Sequence, residues 1–337
     1  MRSVPHILPR SHSICYFSEY SDSHPFILPL LQWDSLGLKT FFPLCCGHEV
    51  VGTVIEAGKD AQLKVGDRVG CGPQRNSNCY RNKLPELCVN CQNGEEQLCV
   101  HGVEGLYNPK TGGFGSQVRV PWRFAFKLPE EIPSHVAGPL LCAGVTVFSP
   151  IVHADLRPGA KVAVVGIGGL GHMALMYAKA MGYEVTAVTR SLDKVEQIKQ
   201  YGATQIINSS DKEDMEKHQG TFDFVLNTVS APIAADQYLR LLKARGKLTY
   251  VGLGCDNIQV NPFSLVSGCK NISGSYIGGR KDMEDMLAFS AKHKIFPTCE
   301  VVEAPFGTNS AEKVTAAVAK VINNSARFRM VLDYKKQ

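Results

Sequence analysis

Four cysteines in one short stretch have the spacing of a metal site. Cys88 and Cys91 are separated by two residues, Cys99 follows after seven more, and Cys79 precedes Cys88 by nine positions. Two thiolates at this spacing can bind one tetrahedral zinc ion, and the chain must return to supply the other ligands. Cys79 is the better candidate for the fourth ligand and Cys71 the poorer one. Four thiolates leave no open position, so the spacing predicts a structural zinc site.

A second group of possible metal ligands is dispersed along the sequence. The run Gly47-His48-Glu49 opens a predicted strand, and Cys142 lies in the run Pro-Leu-Leu-Cys-Ala-Gly. A lone buried His or Cys is more often a core residue than a ligand. These residues alone therefore do not establish a second metal site.

A glycine-rich turn, Gly166-Ile-Gly168-Gly-Leu-Gly171, lies between a predicted strand and a predicted helix. The first glycine permits a tight turn, the second lets the backbone approach a pyrophosphate, and the third lets the helix pack on the strand. Phosphates then meet free N–H groups at the positive end of the helix. The pattern alone is weak, but its strand–turn–helix context predicts a dinucleotide site. The alternative is a tight strand–helix turn without a ligand.

The end of the second predicted strand indicates which nicotinamide cofactor is used. An NAD-specific site has Asp or Glu there, bonded to the ribose 2′-hydroxyl. This chain has Thr189-Arg190-Ser191, followed by Lys194, and Asp193 lies past the strand end. A guanidinium, a hydroxyl and an ammonium can bind a 2′-phosphate, so the sequence favours NADP. The alternative is that Arg190 and Lys194 belong to an ordinary solvated face.

The elements that must position these residues change in character along the chain. Residues 1–45 show little periodicity, and residues 48–128 predict short antiparallel strands between glycine-rich turns. Beyond about residue 144, buried strands alternate with helical patterns, which predicts a doubly wound parallel sheet. The predicted elements are strands Lys161–Val165, Glu184–Thr189, 222–228 and 247–251, a helix carrying the apolar positions 170–181, and a helix over 191–201.

Composition excludes several classes of protein. The chain has 337 residues, 44% of them apolar, which is enough for about two domains. Its formal charge of +5 comes without a basic block, so we expect no nucleic-acid partner. We expect no apolar run to reach the roughly 18 residues of a membrane span, and the longest candidate stretch is residues 25–31. With no secretory signal pattern, a cytoplasmic protein is expected.

Taken together, these stretches resemble the zinc-dependent medium-chain alcohol dehydrogenases, and within them the NADP-dependent branch similar to cinnamyl alcohol dehydrogenase. The resemblance covers about residues 43–337 and keeps the family's order. The matching runs are PLCCGHEVVGTVIEAG, KVGDRVG, CVNCQNGEEQLC, GGFGSQVRVP, EEIPSHVAGPLLCAGVTVFSP, GIGGLGHMALMYAKAMG, the Thr-Arg-Ser strand end and RFRMVLD.

The resemblance implies a fold, two zinc ions and a set of site residues. We expect a mainly β, GroES-like catalytic domain over 1–143, completed by 291–337, and a Rossmann NADP-binding domain over 144–290. His48 and Cys142 would bind a catalytic zinc with Glu49 beside it, and Cys79, Cys88, Cys91 and Cys99 would bind the structural zinc. Expected cofactor-binding residues are Thr146, Gly166, Gly168, Gly169, Leu170, Gly171, Thr189, Arg190, Ser191, Lys194, Thr228, Val229, Val251 and Gly252.

Two departures from the family pattern concern the beginning of the chain and the cysteine loop. The nearest match to the remaining catalytic ligand is Cys15, 33 positions before His48, and Ser18 is the candidate for the proton-relay hydroxyl because Phe17 occupies the usual position. The family's first strands are missing, so the catalytic domain is expected to be incomplete at its N-terminus. Residues 80–87 separate two cysteines that the family spaces by two. We hypothesise that both segments are extra or misjoined sequence, which an intact mass and peptide map of the natural protein would test.

These expectations lead to three functional hypotheses. The first is a zinc-dependent, NADP(H)-linked oxidoreductase that interconverts primary alcohols, aromatic or aliphatic, and aldehydes, with zinc held by Cys15, His48 and Cys142. The second is a zinc-free NADPH-dependent reductase or inactive remnant that lacks one catalytic ligand. The third is a cysteine-rich zinc module that binds a macromolecule. The family also implies a homodimer, for which residues 271–278 are the expected edge.

Overall fold

A computed structural model of the protein describes residues 45, 47–106, 112–115, 117–253, 257–304, 310–323 and 325–334, together with the backbone of residues 14–22. The described strands form two large sheets and a small ribbon. Strands of the first sheet are β1 (Ile14–Asp22), β2 (Glu49–Ala57), β3 (Arg68–Cys71), β6 (Val118–Pro121), β7 (Phe126–Lys127), β14 (Cys299–Glu303) and β15 (Arg329–Asp333).

The first sheet has the order β14-β15-β1-β2-β3-β7, and β6 also pairs with β1. Its pairs are antiparallel except for β14 with β15. Val50, Val51 and Val54 of β2 are buried, whereas Ile55 is exposed near the strand end. β1 lies in a region where the sequence predicts no element, because its pairing depends on partners distant in the chain.

A small lobe containing the four clustered cysteines extends from the first sheet. It has a two-stranded ribbon, and its helices are short because the chain turns repeatedly around the cysteines. The elements are β4 (Gln74–Ser77), α1 (Asn78–Arg81), α2 (Val89–Gln92), a 3-10 turn (Glu96–Leu98) and β5 (Val103–Gly105).

The second sheet is wholly parallel, as the alternating strands and helices predict. Val162, Ala163 and Val164 of its first strand are fully buried, which is typical of a strand covered on both faces. The strands are β8 (Lys161–Val165), β9 (Glu184–Thr189), β10 (Gln205–Asn208), β11 (Phe222–Asn227), β12 (Leu242–Tyr250) and β13 (Asn271–Gly274). Their order in the sheet is β10-β9-β8-β11-β12-β13, which is the Rossmann order with its switch point beside β8.

Helices follow the strands of this sheet, and their boundaries differ from expectation at one place. The helix expected over 191–201 begins only at Val195. Ser191 Oγ donates to Asp193 Oδ2 at 2.8 Å and accepts from the Asp193 amide at 3.3 Å, so local side-chain bonds replace the first helical turn. The helices after β8 are α5 (Gly171–Ala180), α6 (Val195–Gln200), α7 (Lys212–Lys217), α8 (Ala235–Leu241), α9 (Pro262–Val266), α10 (Arg280–His293) and α11 (Ser310–Ile322).

A continuous helical run connects the two sheets. It consists of α3 (Ser134–Pro139), a widened π-helical turn (Leu140–Gly144) and α4 (Val145–Val152). Its 19 residues are long and apolar enough to cross a membrane, contrary to the sequence expectation. However, 83% of its apolar window is buried inside the protein. The run therefore lies in the core of the protein, where it contacts apolar residues of both sheets.

Candidate active site

His48, Glu49 and Cys142 meet at the junction between the first sheet and the helical run. Gly47 has a φ of +85°, and a Cβ there would lie 2.7 Å from Phe114, so this position needs glycine to turn the chain into β2. His48 Nε2 lies 3.3 Å from Cys142 Sγ and 3.7 Å from Glu49 Oε1. The possible ligand atoms of the three residues all lie within 4.8 Å of one another.

The protonation state of His48 suits metal binding. Burial, reinforced by the positive charge of Arg329, lowers the pKa of His48 to about 3, which keeps the imidazole neutral with a free lone pair. Burial raises the pKa of Glu49, and Arg329 opposes that effect. Arg329 Nη2 donates to Glu49 Oε1 at 2.6 Å, and both side chains are at most 2% exposed. Arg329 thus fixes one carboxylate oxygen beside the cluster.

The donor set fits a zinc ion. Nitrogen, sulfur and oxygen ligands at the usual zinc distances lie about 3.3–3.8 Å apart in a tetrahedron, and the measured separations of 3.3 and 3.7 Å agree with this spacing. Glu49 Oε2 is buried and has no hydrogen-bond partner among the described residues. Burying a carboxylate oxygen without a hydrogen bond costs folding free energy unless a cation or a hydrogen-bond donor contacts the oxygen. The trio therefore has the chemistry of a metal site.

The predicted ligand Cys15 and the predicted relay Ser18 lie on β1, and their side chains are outside the described residues. The strand register pairs Cys15 with Ala57 and Ser18 with Thr53 of β2, whereas Asp22 pairs with Glu49. Eight strand residues at about 3.3 Å each place the Cys15 backbone about 26 Å along β2 from Glu49. This pairing does not bring Cys15 or Ser18 to His48, because long-range register rather than sequence spacing sets the position of β1.

The four clustered cysteines converge despite their irregular spacing. Cys99 Sγ lies 3.7 Å from Cys79 Sγ and 4.0 Å from Cys88 Sγ, and Cys91 completes a group whose sulfurs lie within 4.8 Å of one another. A backbone hydrogen bond from Cys91 lowers the pKa of Cys88 to about 6, whereas burial raises the pKa of Cys91. Cys71 is buried in a different core cluster. The lobe thus has the four-thiolate arrangement of a structural zinc site.

The additional residues 80–87 are packed into the same lobe. The amide of Leu84 donates to the Cys79 carbonyl at 3.1 Å, and the side chains of Leu84 and Leu87 pack against the cysteines. Lys83 reverses the chain with a φ of +49°. The segment therefore forms a closed turn that lets Cys79 reach the other three ligands.

The glycine turn has the form of a pyrophosphate cradle. A Cβ on Gly166 would lie 2.5 Å from Val229 Cγ2, and one on Gly171 would lie 1.9 Å from the Gly166 carbonyl oxygen. By contrast, a Cβ on Gly168 would meet nothing within 4 Å. The first and third glycines are thus required by packing, whereas the second leaves open space where a dinucleotide would approach. Gly169 and Leu170 complete the turn into α5.

The other predicted cofactor residues surround this turn. Thr228 Oγ1 donates to the Gly166 carbonyl at 2.6 Å, and a Cβ on Gly252 would lie 2.2 Å from the Val229 carbonyl oxygen. Val251 and Gly252 follow β12 directly, and Thr146 is nearly buried on α4. The residues that follow β11 and β12 therefore lie at the carboxyl edge of the parallel sheet, where such folds bind ligands.

The residues predicted to meet a 2′-phosphate lie at the carboxyl end of β9. The Ser191 amide donates to Thr189 Oγ1 at 3.3 Å, which closes a tight turn after the strand. Arg190 and Lys194 are exposed. The Asp193 carboxylate accepts from Ser191 Oγ at 2.8 Å. The structure thus brings two cations, a hydroxyl and the carboxylate of Asp193 to this edge.

Comparison with known proteins agrees with both halves of the site. Residues 30–130 match the family described as alcohol dehydrogenase GroES-like domain, and residues 169–292 match the family described as zinc-binding dehydrogenase. The chain is 40% identical over 300 residues to the probable formaldehyde dehydrogenase AdhA of Bacillus subtilis, covering 87% of this chain and 82% of that protein. It belongs to the zinc-dependent alcohol dehydrogenases.

Two further relatives bear on the cofactor and the branch of this alcohol dehydrogenase. It is 38% identical over 301 residues to NADP-dependent alcohol dehydrogenase C 1 of Mycolicibacterium smegmatis, covering 87% of this chain and 82% of the relative. A solved cinnamyl alcohol dehydrogenase, SbCAD4 of Sorghum bicolor, superposes with a TM-score of 0.86 at 30% identity, covering 96% and 92% of the two chains. The expected family, Rossmann and GroES-like fold, zinc and NADP are confirmed.

Sequence reasoning missed two residues that shape the site of this alcohol dehydrogenase. Arg329 forms an ion pair with Glu49. The only feature of the sequence that pointed to Arg329 was its position as a charged residue next to the apolar run Met-Val-Leu. His172, directly after the glycine turn, is fully buried. Its Nδ1 lies 2.9 Å from the Gly168 carbonyl oxygen, and its Nε2 accepts from the Thr298 amide at 3.3 Å. Both residues depend on partners that sequence spacing does not reveal.

Proposed function

We propose that this alcohol dehydrogenase interconverts primary alcohols, aromatic or aliphatic, with their aldehydes, and that NADPH supply favours reduction. One observation carries the proposal: the metal-site trio and the cofactor turn are joined by direct packing. A Cβ on Gly144, two residues after Cys142, would lie 3.2 Å from both Met173 and Tyr177 of α5. Since α5 starts at the glycine turn, this contact packs the helical run that carries Cys142 against the helix that begins at the cofactor cradle.

At the metal centre, the proposed ligands are His48, Cys142 and Glu49. A zinc ion bound there would act as a Lewis acid toward the substrate oxygen and stabilise its negative charge. His48 offers a neutral imidazole, and Arg329 holds Glu49 Oε1, while Oε2 is buried without a hydrogen-bond partner among the described residues. The surrounding burial excludes water, which strengthens each of these electrostatic interactions.

At the cofactor site, each proposed role follows from position. Gly166, Gly168 and Gly171 shape the pyrophosphate cradle, to which the start of α5 contributes N–H groups. Thr146 lies four residues after Cys142 in the same helical run, so the two share one face, and we assign Thr146 to the nicotinamide. Arg190, Ser191 and Lys194 are assigned to the adenosine 2′-phosphate. The remaining predicted contacts are Gly169, Leu170, Thr189, Thr228, Val229, Val251 and Gly252.

The strand register supports a second candidate function. Because β1 places Cys15 far from His48, Glu49 is the proposed third protein ligand among the described residues, and the second candidate is that no catalytic metal is bound. Without it, the chain would be a zinc-free NADPH-dependent reductase or an inactive remnant. The number of zinc ions per chain distinguishes the two: two support the dehydrogenase, and one supports the zinc-free form.

Activity is tested directly with purified protein. It is expected to consume NADPH in the presence of benzaldehyde or a short aliphatic aldehyde, to prefer NADPH over NADH, and to stop when a chelator removes the metal. Tight NADPH binding without turnover would contradict the proposal and support the remnant. Saturable turnover would also dismiss a zinc module that only binds a macromolecule.

The proposal also covers the domain boundaries, the oligomeric state and the cellular compartment of the protein. We assign the catalytic domain to 1–143 and 291–337, and the cofactor domain to 144–290. A homodimer through β13, the last strand of the parallel sheet in the described part of the chain, is supported by exposed apolar side chains on the preceding helix α9, of which Phe263 and Val266 are each 73% exposed. A cytoplasmic location is supported by the nine described cysteines, none of which forms a disulfide, because reducing compartments keep thiols reduced.

A further inference from the structure

The side chain of Lys194 lies on an aromatic ring from a distant part of the chain. Its ammonium nitrogen is 5.1 Å from the centre of the Phe328 ring. Lys194 precedes α6 of the parallel sheet, whereas Phe328 directly precedes β15 of the first sheet. Within the described part of the chain, Lys194 forms no salt bridge with a carboxylate. The ring face is thus the contact that restrains this otherwise exposed cation.

Phe328 itself is held firmly. Its backbone has a φ of +68°, a conformation that is strained for a side chain of this size. Such a residue persists only where its surroundings fix it, and Phe328 is 6% exposed. Its ring packs at 4.8 Å from the His172 ring and edge-on at 5.3 Å from the Tyr201 ring. A rigid, buried ring therefore supports a long flexible side chain.

The rings around Phe328 are tied to the cofactor turn. His172 Nε2 accepts from the Thr298 amide, so in the neutral ring Nδ1 carries the proton and donates to the Gly168 carbonyl. Tyr201 completes the packing through a 2.7 Å hydrogen bond between its hydroxyl and Thr298 Oγ1. One aromatic cluster thus contacts both the pyrophosphate turn and the cation assigned to the 2′-phosphate.

We propose that Phe328 is a positioning residue for NADP selection: its ring holds the Lys194 ammonium where the adenosine 2′-phosphate binds. This inference rests on the proposed assignment of Lys194 to that phosphate. An unrestrained lysine loses much side-chain entropy when it is fixed on a ligand. Because the ring already restrains Lys194, less of that entropy is lost on binding. The residue acts through Lys194 and does not touch the reacting atoms.

Binding of two nucleotide fragments to the purified, zinc-loaded protein tests the proposal. Adenosine 2′,5′-bisphosphate and adenosine 5′-monophosphate differ by the phosphate in question, and calorimetry gives the Kd of each. Phe328→Leu keeps an apolar side chain but removes the ring. It should weaken bisphosphate binding about two- to fivefold, the size of an exposed cation–π contact, and leave monophosphate binding unchanged. Phe328→Tyr keeps the ring and should behave like the unaltered protein.

A double-mutant cycle with Lys194→Met separates this proposal from the assignment on which it rests. In the Lys194→Met background, Phe328→Leu should have no further effect on bisphosphate binding. If Phe328→Leu leaves bisphosphate binding unchanged, weakens both fragments equally, or still weakens bisphosphate binding without Lys194, Phe328 does not position Lys194. If Lys194→Met itself has no effect, the assignment of Lys194 fails and the inference fails with it. Thermal unfolding of each variant identifies general damage to the fold.

Discussion

Arg329 precedes an apolar strand segment and is 2% exposed, so its charge must be compensated inside the protein. Its partner is Glu49, 280 positions earlier in the sequence. The pair serves the site by fixing the carboxylate beside His48 and Cys142. No local pattern predicts such a pair, since only the folded first sheet brings β15 near the start of β2. His48 and Cys142 were predictable only through the resemblance, because each is ambiguous as an isolated residue.

Removing Arg329 tests its role at the residue scale. Arg329→Met leaves a buried carboxylate without its cation, and we expect the free energy of unfolding to fall by about 3–5 kcal/mol. Urea denaturation measures the change. Arg327→Met is the matched control, because Arg327 is exposed two positions away, and a change within about 0.5 kcal/mol is expected there. If the two substitutions lower the free energy of unfolding by the same amount, the buried Glu49 carboxylate does not depend on Arg329 for its stability.

At the scale of elements, the glycine turn shows what sequence can predict. A continuous buried strand, three spaced glycines and a periodic helix are local signals, and the structure places all of them as predicted. The convergence of Cys79 with Cys88, Cys91 and Cys99 was likewise predictable from residue type and spacing. In contrast, the delayed start of α6 and the register of β1 arise from side-chain bonds and strand partners that the local pattern does not contain.

The two glycines Gly168 and Gly171 should respond differently to alanine. Gly168→Ala fits the protein without contact but occupies the open space of the cradle, so NADPH binding should weaken at least about tenfold with little change in Tm. Gly171→Ala collides with the Gly166 carbonyl oxygen, so its Tm should fall markedly. Fluorescence titration with NADPH and thermal unfolding measure the two effects. Unchanged NADPH affinity in Gly168→Ala would place the pyrophosphate elsewhere.

At the scale of the whole molecule, the helical run 134–152 joins the two sheets into one core. It carries the proposed metal ligand Cys142 and the nicotinamide candidate Thr146, so the proposed site lies at the junction of the sheets. The sequence predicted both sheets but not the length of this helical run, because its polar first residues and two prolines obscure a continuous helix. The contacts of Phe328 with Lys194 and His172 could not be predicted, since more than 130 positions separate Phe328 from each.

The free edge of the parallel sheet leads to a prediction about assembly. We expect the protein to elute as a dimer of the 36.8 kDa chain in size-exclusion chromatography with light scattering. The double variant Phe263→Asp and Val266→Asp places charges beside β13 and should give monomers. Val65→Asp, at a 66% exposed position in the turn before β3, is the control and should stay dimeric. A monomeric unaltered protein would contradict the proposed edge contact.

Zinc content tests the metal centre most directly. Elemental analysis of the purified protein should give two zinc ions per chain, and Cys142→Ala should give one, with aldehyde reduction lost but NADPH affinity retained. The retained ion would belong to the four-cysteine lobe, and Cys91→Ser should remove it instead. One zinc per chain in the unaltered protein, unaffected by Cys142→Ala, would contradict a metal site formed by His48, Glu49 and Cys142.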